Sequence, residues 1–332
     1  EILPSDWSSD VCSSDLRAAL PLGCCKRYNA PQDDFEAEGL EDIAMIGAAD
    51  GEGAGKKLER LHELLRGIGR AAVAFSGGVD SALLAAEAHD VLGRESAAVT
   101  IVSPLLPADE REDALRLARG LKLNHFVVEM DELSDPAFAV NPSDRCYICK
   151  RMRFLRMAEW ARERGFPWLL DGSNADDSRD YRPGMRALAE LDGVRSPLLE
   201  AGLTKAEIRT LSRERGLFTW NKPAKACLAS RIPYGEPVTR EGLARVEAAE
   251  RFLAGILPPN AQFRVRSHGD LARIEAGREE LPLLLEAADS IHDALQGAGF
   301  RYVTLDLKGY RMGSLNEALS VGLNEALSVS LK

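Results

Sequence analysis

The chain of 332 residues carries three groups of side chains whose types and spacing can do chemistry. The first is Ser76-Gly77-Gly78-Val79-Asp80-Ser81, set between a short apolar run at 70–75 and an apolar helical pattern at 82–92. Adjacent glycines let backbone N–H groups close around a phosphate, and the N-terminus of the following helix adds partial positive charge. Asp80 and Ser81 fall in the first turn, where they cap the helix or help hold a magnesium ion. No Gly-Lys-Ser/Thr follows, which excludes a Walker A loop.

The second group is sulfur. Cys146 and Cys149 lie one turn apart at an expected helix start, beside Arg145, Lys150, Arg151 and Arg153, and Cys227 follows among Lys222, Lys225 and Arg231. The helix dipole and the cations favour thiolates. Three thiolates suit an iron–sulfur cluster with one open iron, whereas zinc usually takes a fourth protein ligand; free buried cysteines are the plain alternative. The third group is Arg264 and Arg266, on one face of an alternating strand. Such a pair can clamp a phosphate in bidentate fashion, or merely decorate a solvated strand. Glu275 is a candidate metal ligand, and His268 is read as a surface or core histidine.

The elements that must position these groups alternate between strand and helix. Strands are expected at 70–75, 97–102, 125–129 and 167–170, with a fifth at 195–199. Helices are expected at 57–67, 82–92, 109–121 and 144–164, and Thr204 with Glu207 forms a capping box that opens another, to about 215. This order implies an α/β fold, a parallel sheet with helices on both faces. From about 233 the pattern changes: a helix at 240–253, strands at 262–268 and 272–275, a helix at 279–296 and a strand at 302–307 make a smaller α+β domain. The expected division is a disordered or artefactual tail at 1–55, the main domain at 56–232, the smaller domain at 233–316 and a tail at 317–332. Residues 5–16 are polar, repetitive and without period, residues 47–55 read as a Gly/Ala linker, and residues 315–321 recur letter for letter as 323–329.

Composition narrows the classes. Net charge is −10, but residues 1–56 hold 12 acidic and 4 basic side chains, and the remaining 276 hold 40 and 38. The body is thus nearly neutral and lacks the basic excess of a nucleic-acid binder. No apolar run reaches the roughly 18 residues that span a bilayer. Six cysteines are too few for a disulfide scaffold, and no secretory signal opens the chain, so a cytoplasmic protein is expected.

Taken together, the Ser76–Ser81 hexapeptide resembles the PP-loop of ATP pyrophosphatases (adenine nucleotide alpha hydrolase-like folds), which release pyrophosphate while AMP goes to the substrate. Asp171 and Gly172, at the end of the fourth strand, fit the same nucleotide site, and Ser103, at the end of the second, is a candidate for the adenine edge. With the segments around Cys146, around Cys227 to Gly235, and from Phe263 to Asp270, the chain resembles the LarE family of ATP-dependent sulfur transferases over 57–316. That resemblance implies ATP and Mg²⁺, adenylation of pyridinium-3,5-biscarboxylate mononucleotide, and its conversion to a thiocarboxylate for the nickel-pincer cofactor of lactate racemase. It implies Cys227 as the sulfur-carrying catalytic residue. One branch sacrifices that cysteine, and another is thought to hold a [4Fe-4S] cluster on three cysteines. All three are here, which favours the cluster branch. It further favours Arg264 and Arg266 on the substrate phosphate; beside it, Arg231 is a candidate contact to the ATP phosphates, and Asp80 and Glu275 are candidate metal ligands. A small-molecule nucleotide substrate and a homo-oligomer are expected, and neither membrane nor nucleic acid. Two alternatives stay open: a PP-loop tRNA thiolase, for which the basic helix at 150–164 speaks, and a nucleotide-binding iron–sulfur sensor without catalysis.

Overall fold

The computed structural model describes residues 51–177, 183–223 and 225–316; the expectations for 1–50 and 317–332 lie outside them. Five strands, β1 (Ala71–Ala74), β2 (Ser96–Val102), β3 (His125–Glu129), β4 (Trp168–Leu170) and β5 (Val194–Arg195), form one sheet in the order β3-β2-β1-β4-β5. Every pairing is parallel. In β1, Ala71 and Val73 enter one apolar core with helices Gly51–Ile68, Val79–Leu92 and Lys205–Glu214, while Ala72 enters another with Phe154, Met157 and Trp160 of helix Arg145–Glu163. Alternate residues of a strand point to opposite faces, so the sheet is covered on both. The chain leaves β1 towards β2 on one side and later returns to place β4 on the other. That reversal opens a crevice at the carboxyl ends of β1, β2 and β4.

The capping box forms as expected: Thr204 accepts from the Glu207 N–H, and Glu207 accepts from the Thr204 N–H at 2.8 Å. Three differences from the expected boundaries have a clear physical reason. Residues 51–55, read as linker, begin the first helix, because Ala54 is buried in the core. The fifth strand stops at Arg195, since Pro197 opens a short helix, Pro197–Glu200. The expected helix at 279–296 is two, Leu281–Glu286 and Ala288–Gly297, broken at Ala287.

The C-terminal region holds a mixed sheet of β6 (Phe263–His268), β7 (Leu271–Ala276) and β8 (Tyr302–Leu305), with β6 antiparallel and β8 parallel to β7. Its core takes in helix Arg240–Ala254 and also Leu105, Phe138, Leu228 and Ile232, with Cys149 and Cys227 packed against it. Cys149 and Cys227 thus sit against the core of the second sheet. Among the described residues no helix is long and apolar enough to cross a membrane.

Candidate active site

The glycine loop leaves β1 at Phe75, whose N–H is held by the Val99 carbonyl at 2.8 Å. Its two serines pair, Ser76 Oγ to Ser81 Oγ at 3.0 Å, and Ser81 Oγ donates to the Gly78 carbonyl at 3.1 Å. Gly77 takes a left-handed φ of 75°, and helix Val79–Leu92 starts immediately after Gly78. Gly172 is needed for approach: a Cβ there would lie 3.2 Å from the Ser81 nitrogen, so the loop after β4 packs directly on the helix start. Asp171 accepts from Ser173 N–H at 2.8 Å and faces Lys150 at 3.6 Å.

Two adjoining cavities open here. A cleft of about 290 Å³ is lined by Phe75, Thr100, Phe154, Met157, Asp171 and Gly172 among others, and has the apolar walls a nucleoside needs. A second, of about 300 Å³, is walled by Lys205, Arg209, Lys222, Lys225 and Cys227. Ser76, Gly78, Asp80, Leu106 and Arg153 line both. The glycine loop and Cys227 therefore face one space. Ser103 lines neither cavity; its hydroxyl accepts from Arg153 at 2.9 Å, and Arg153 in turn donates to Glu132 at 2.6 Å.

The three thiols lie within electrostatic reach of one another, Cys146 exposed and the other two half-buried. Burial pushes the Cys149 thiol up to about 12, outweighing the Arg153 guanidinium beside it. Burial also raises Cys146, and Cys227 adds to it against the pull of Arg145. Burial thus works against the expected thiolates at Cys146 and Cys149. Arg145 reaches the Cys146 thiol but is shared, donating also to Asn141 and to the Ile232 carbonyl and lying 4.4 Å over the Tyr234 ring. Among the described residues no three His, Cys, Asp or Glu side chains are grouped to hold a single metal ion. A cubane cluster asks for something wider, since its thiolates ligate separate irons.

The two arginines of β6 differ. Arg266 donates through Nε and Nη2 to Glu275 at 3.0 and 2.9 Å and through Nη1 to the Ser230 carbonyl at 2.8 Å. Arg264 is just as buried but has no ion-pair partner among the described residues; it lies over the Tyr310 ring, and burial, then Arg231, lower its pKa. Glu275 is fully enclosed and held by Arg266, Arg273 and Ser314, so its oxygens already have donors and it lines neither cavity. Arg231 also lines neither, being paired with Glu250. His268 is exposed at the end of β6.

Sequence reasoning missed the cationic wall. Lys205 ion-pairs with Asp80, which also accepts from Asn174 at 3.3 Å. Lys222 bridges Glu110 and Asp113 at 3.0 and 2.9 Å, and Lys225 pairs with Asp109. Only the basic neighbourhood of Cys227 hinted at it.

A PP-loop at the switch point of a parallel sheet, with nucleotide-sized space on both sides, defines an enzyme of the ATP pyrophosphatase class. Residues 61–178 match the asparagine synthase family. The chain is 41% identical over 257 residues to the pyridinium-3,5-bisthiocarboxylic acid mononucleotide synthase of Lactiplantibacillus plantarum, covering 77% of this chain and 92% of that one. An uncharacterized protein of Synechocystis is 43% identical over 266 residues, 80% of this chain and 98% of its own. A tRNA-specific 2-thiouridylase of Rhizobium johnstonii is 26% identical over 52% of each chain. The chain belongs to the LarE family of ATP-dependent sulfur transferases.

Proposed function

We propose that this chain uses ATP to adenylate a carboxylate of pyridinium-3,5-biscarboxylate mononucleotide and then exchanges the activated oxygen for sulfur, making a precursor of a nickel-pincer nucleotide. The observation that carries the reading is the cavity of about 300 Å³ that Gly78 and Cys227 both line. A free carboxylate is a poor electrophile. Its oxygen attacks the α-phosphate, a mixed anhydride with AMP forms, and pyrophosphate leaves. The loop N–H groups, the start of helix Val79–Leu92 and Lys205 face the charge that departs. Sulfur at Cys227 then forms the new bond to the acyl carbon, and the bond to AMP breaks with its electron pair on the phosphate. Where that sulfur is the Cys227 Sγ itself, the thioester releases thiocarboxylate by loss of the Cys227 Cα proton and cleavage of Cβ–Sγ, leaving dehydroalanine.

Asp80 fits a magnesium ion, since it borders both cavities and offers a carboxylate beside the phosphate loop. Cys146, Cys149 and Cys227 fit the three protein ligands of a [4Fe-4S] cluster, which when bound would supply sulfide at its open iron. Arg264 supports an anion subsite, because a buried guanidinium that forms no ion pair among the described residues, with Glu250 nearby already paired to Arg231, is what a substrate phosphate stabilises.

The test is incubation with ATP, Mg²⁺ and the biscarboxylate mononucleotide. Pyrophosphate, AMP and thiocarboxylate are expected, all dependent on that substrate. Nucleotide binding without pyrophosphate release would instead mark a sensor, and release driven by bulk tRNA would mark a tRNA thiolase. Either result overturns the reading. Iron measured after anaerobic purification, and lost in Cys149→Ser, separates the cluster route from a sacrificed Cys227.

A further inference from the structure

Arg231 is only 1% exposed, and its guanidinium is spent on the protein. Nε and Nη2 donate to the two Glu250 oxygens, each at 2.9 Å. Nη1 donates to the carbonyls of Ala226 and Cys227, the latter at 3.0 Å, and to Ser230 Oγ at 3.0 Å. Ser230 Oγ itself donates to the Cys227 carbonyl at 2.7 Å. One cation therefore gathers the backbone on both sides of the Cys227 side chain. Glu250 reaches further: its Oε1 also accepts from the Val265 N–H at 3.0 Å, the residue between Arg264 and Arg266. The Cys227 turn and the strand that carries Arg264 are thus tied through a single ion pair.

We propose that Arg231 and Glu250 are a positioning pair that sets Cys227 against the strand bearing Arg264, so that sulfur rather than water meets the acyl-adenylate. This rests on the reaction proposed above. The pair touches no reacting atom. Its part is distance: a displacement of about 1 Å in a reacting group costs on the order of a hundredfold in rate. With Cys227 out of place, the anhydride waits for sulfur. Water then attacks the acyl carbon, giving back the carboxylate and releasing AMP, so that ATP is consumed and pyrophosphate released without thiocarboxylate.

The experiment measures thiocarboxylate formed per pyrophosphate released, in one turnover with ATP and the biscarboxylate mononucleotide. Both products come from the same folded molecules, so partial misfolding cancels from the ratio. Glu250→Gln and Arg231→Lys are expected to lower the ratio about tenfold or more. Ser230→Ala, a milder cut in the same network, is expected to lower it severalfold. Ratios at the wild-type level in all three overturn the proposal. So does a raised KM for ATP in Arg231→Lys with the ratio intact, which would return Arg231 to the nucleotide. Absence of pyrophosphate release by the wild-type protein with this substrate would defeat the underlying reaction instead, before any variant is compared.

Discussion

Gly77 and Ala114 touch so closely that a Cβ on Gly77 would lie 2.9 Å from both the Cα and the Cβ of Ala114. Helix Ala108–Gly120 thereby presses on the glycine loop, while the same helix offers Asp109, Glu110 and Asp113 to the lysines before Cys227. Gly77→Ala meets two costs at once. A side chain at φ 75° is strained, and the added methyl must push a packed backbone aside. Together these are expected to lower stability by roughly 3 kcal/mol and to weaken ATP binding. Urea denaturation and nucleotide titration of the variant check both. Unchanged values would mean that the loop does not lie against this helix.

Lys205 and Asp80 neutralise one another across the phosphate cavity. A magnesium nucleotide offers each a better partner, the metal to the carboxylate and the phosphates to the ammonium. Lys205→Ala is therefore expected to slow pyrophosphate release by about a hundredfold, the usual loss for one charge-stabilising donor. Release assayed against ATP concentration tests this. A rate within a factor of about two of wild type would assign the lysine to restraining Asp80 alone.

Arg264 and Arg266 should separate cleanly. Arg266→Ala removes two of the donors to Oε2 of the fully buried Glu275, leaving it Arg273 and Ser314, and is expected to cost about 3 kcal/mol of stability. Arg264→Ala leaves no buried carboxylate without its ion-pair partner, so stability should change little while KM for the mononucleotide rises. Denaturation midpoints and KM values for both variants decide it. Equal destabilisation by the two would show that Arg264 is structural as well.

This contrast marks where the sequence stops being readable. The strand–loop–helix around Ser76–Ser81 and the Thr204 capping box obey local rules, and both fold as their residues dictate. The alternation of Arg264 and Arg266 reveals a shared face but not which of them is paired. The register sets Glu275 opposite Arg264, yet its carboxylate runs diagonally to Arg266. The wall of Lys205, Arg209, Lys222 and Lys225 is assembled from a helix and a loop, so no spacing announces it. The Cys146 and Cys149 thiols are raised for a related reason: basic neighbours are visible in the chain, whereas the burial that outweighs them belongs to the packed fold.

His125 makes the fold sensitive to acid. Thr100 Oγ1 donates to the Phe75 carbonyl at 2.7 Å, so at 2.8 Å it accepts from His125, whose Nε2 carries the proton. Thr100 and Phe75 both line the nucleoside cleft. Burial lowers the His125 pKa from 6.5 to about 4, so the folded protein holds a neutral ring where the unfolded chain would be protonated. Between those two values the unfolded state binds more protons, and stability must fall as pH falls. The loss begins near pH 6.5, grows to roughly 3 kcal/mol by pH 4, and is constant below. Denaturation midpoints measured from pH 7 down to 4.5 are expected to drop more steeply for wild type than for His125→Gln, which keeps a donor for Thr100 but cannot titrate. Parallel pH profiles for the two proteins would place the acid sensitivity on other groups.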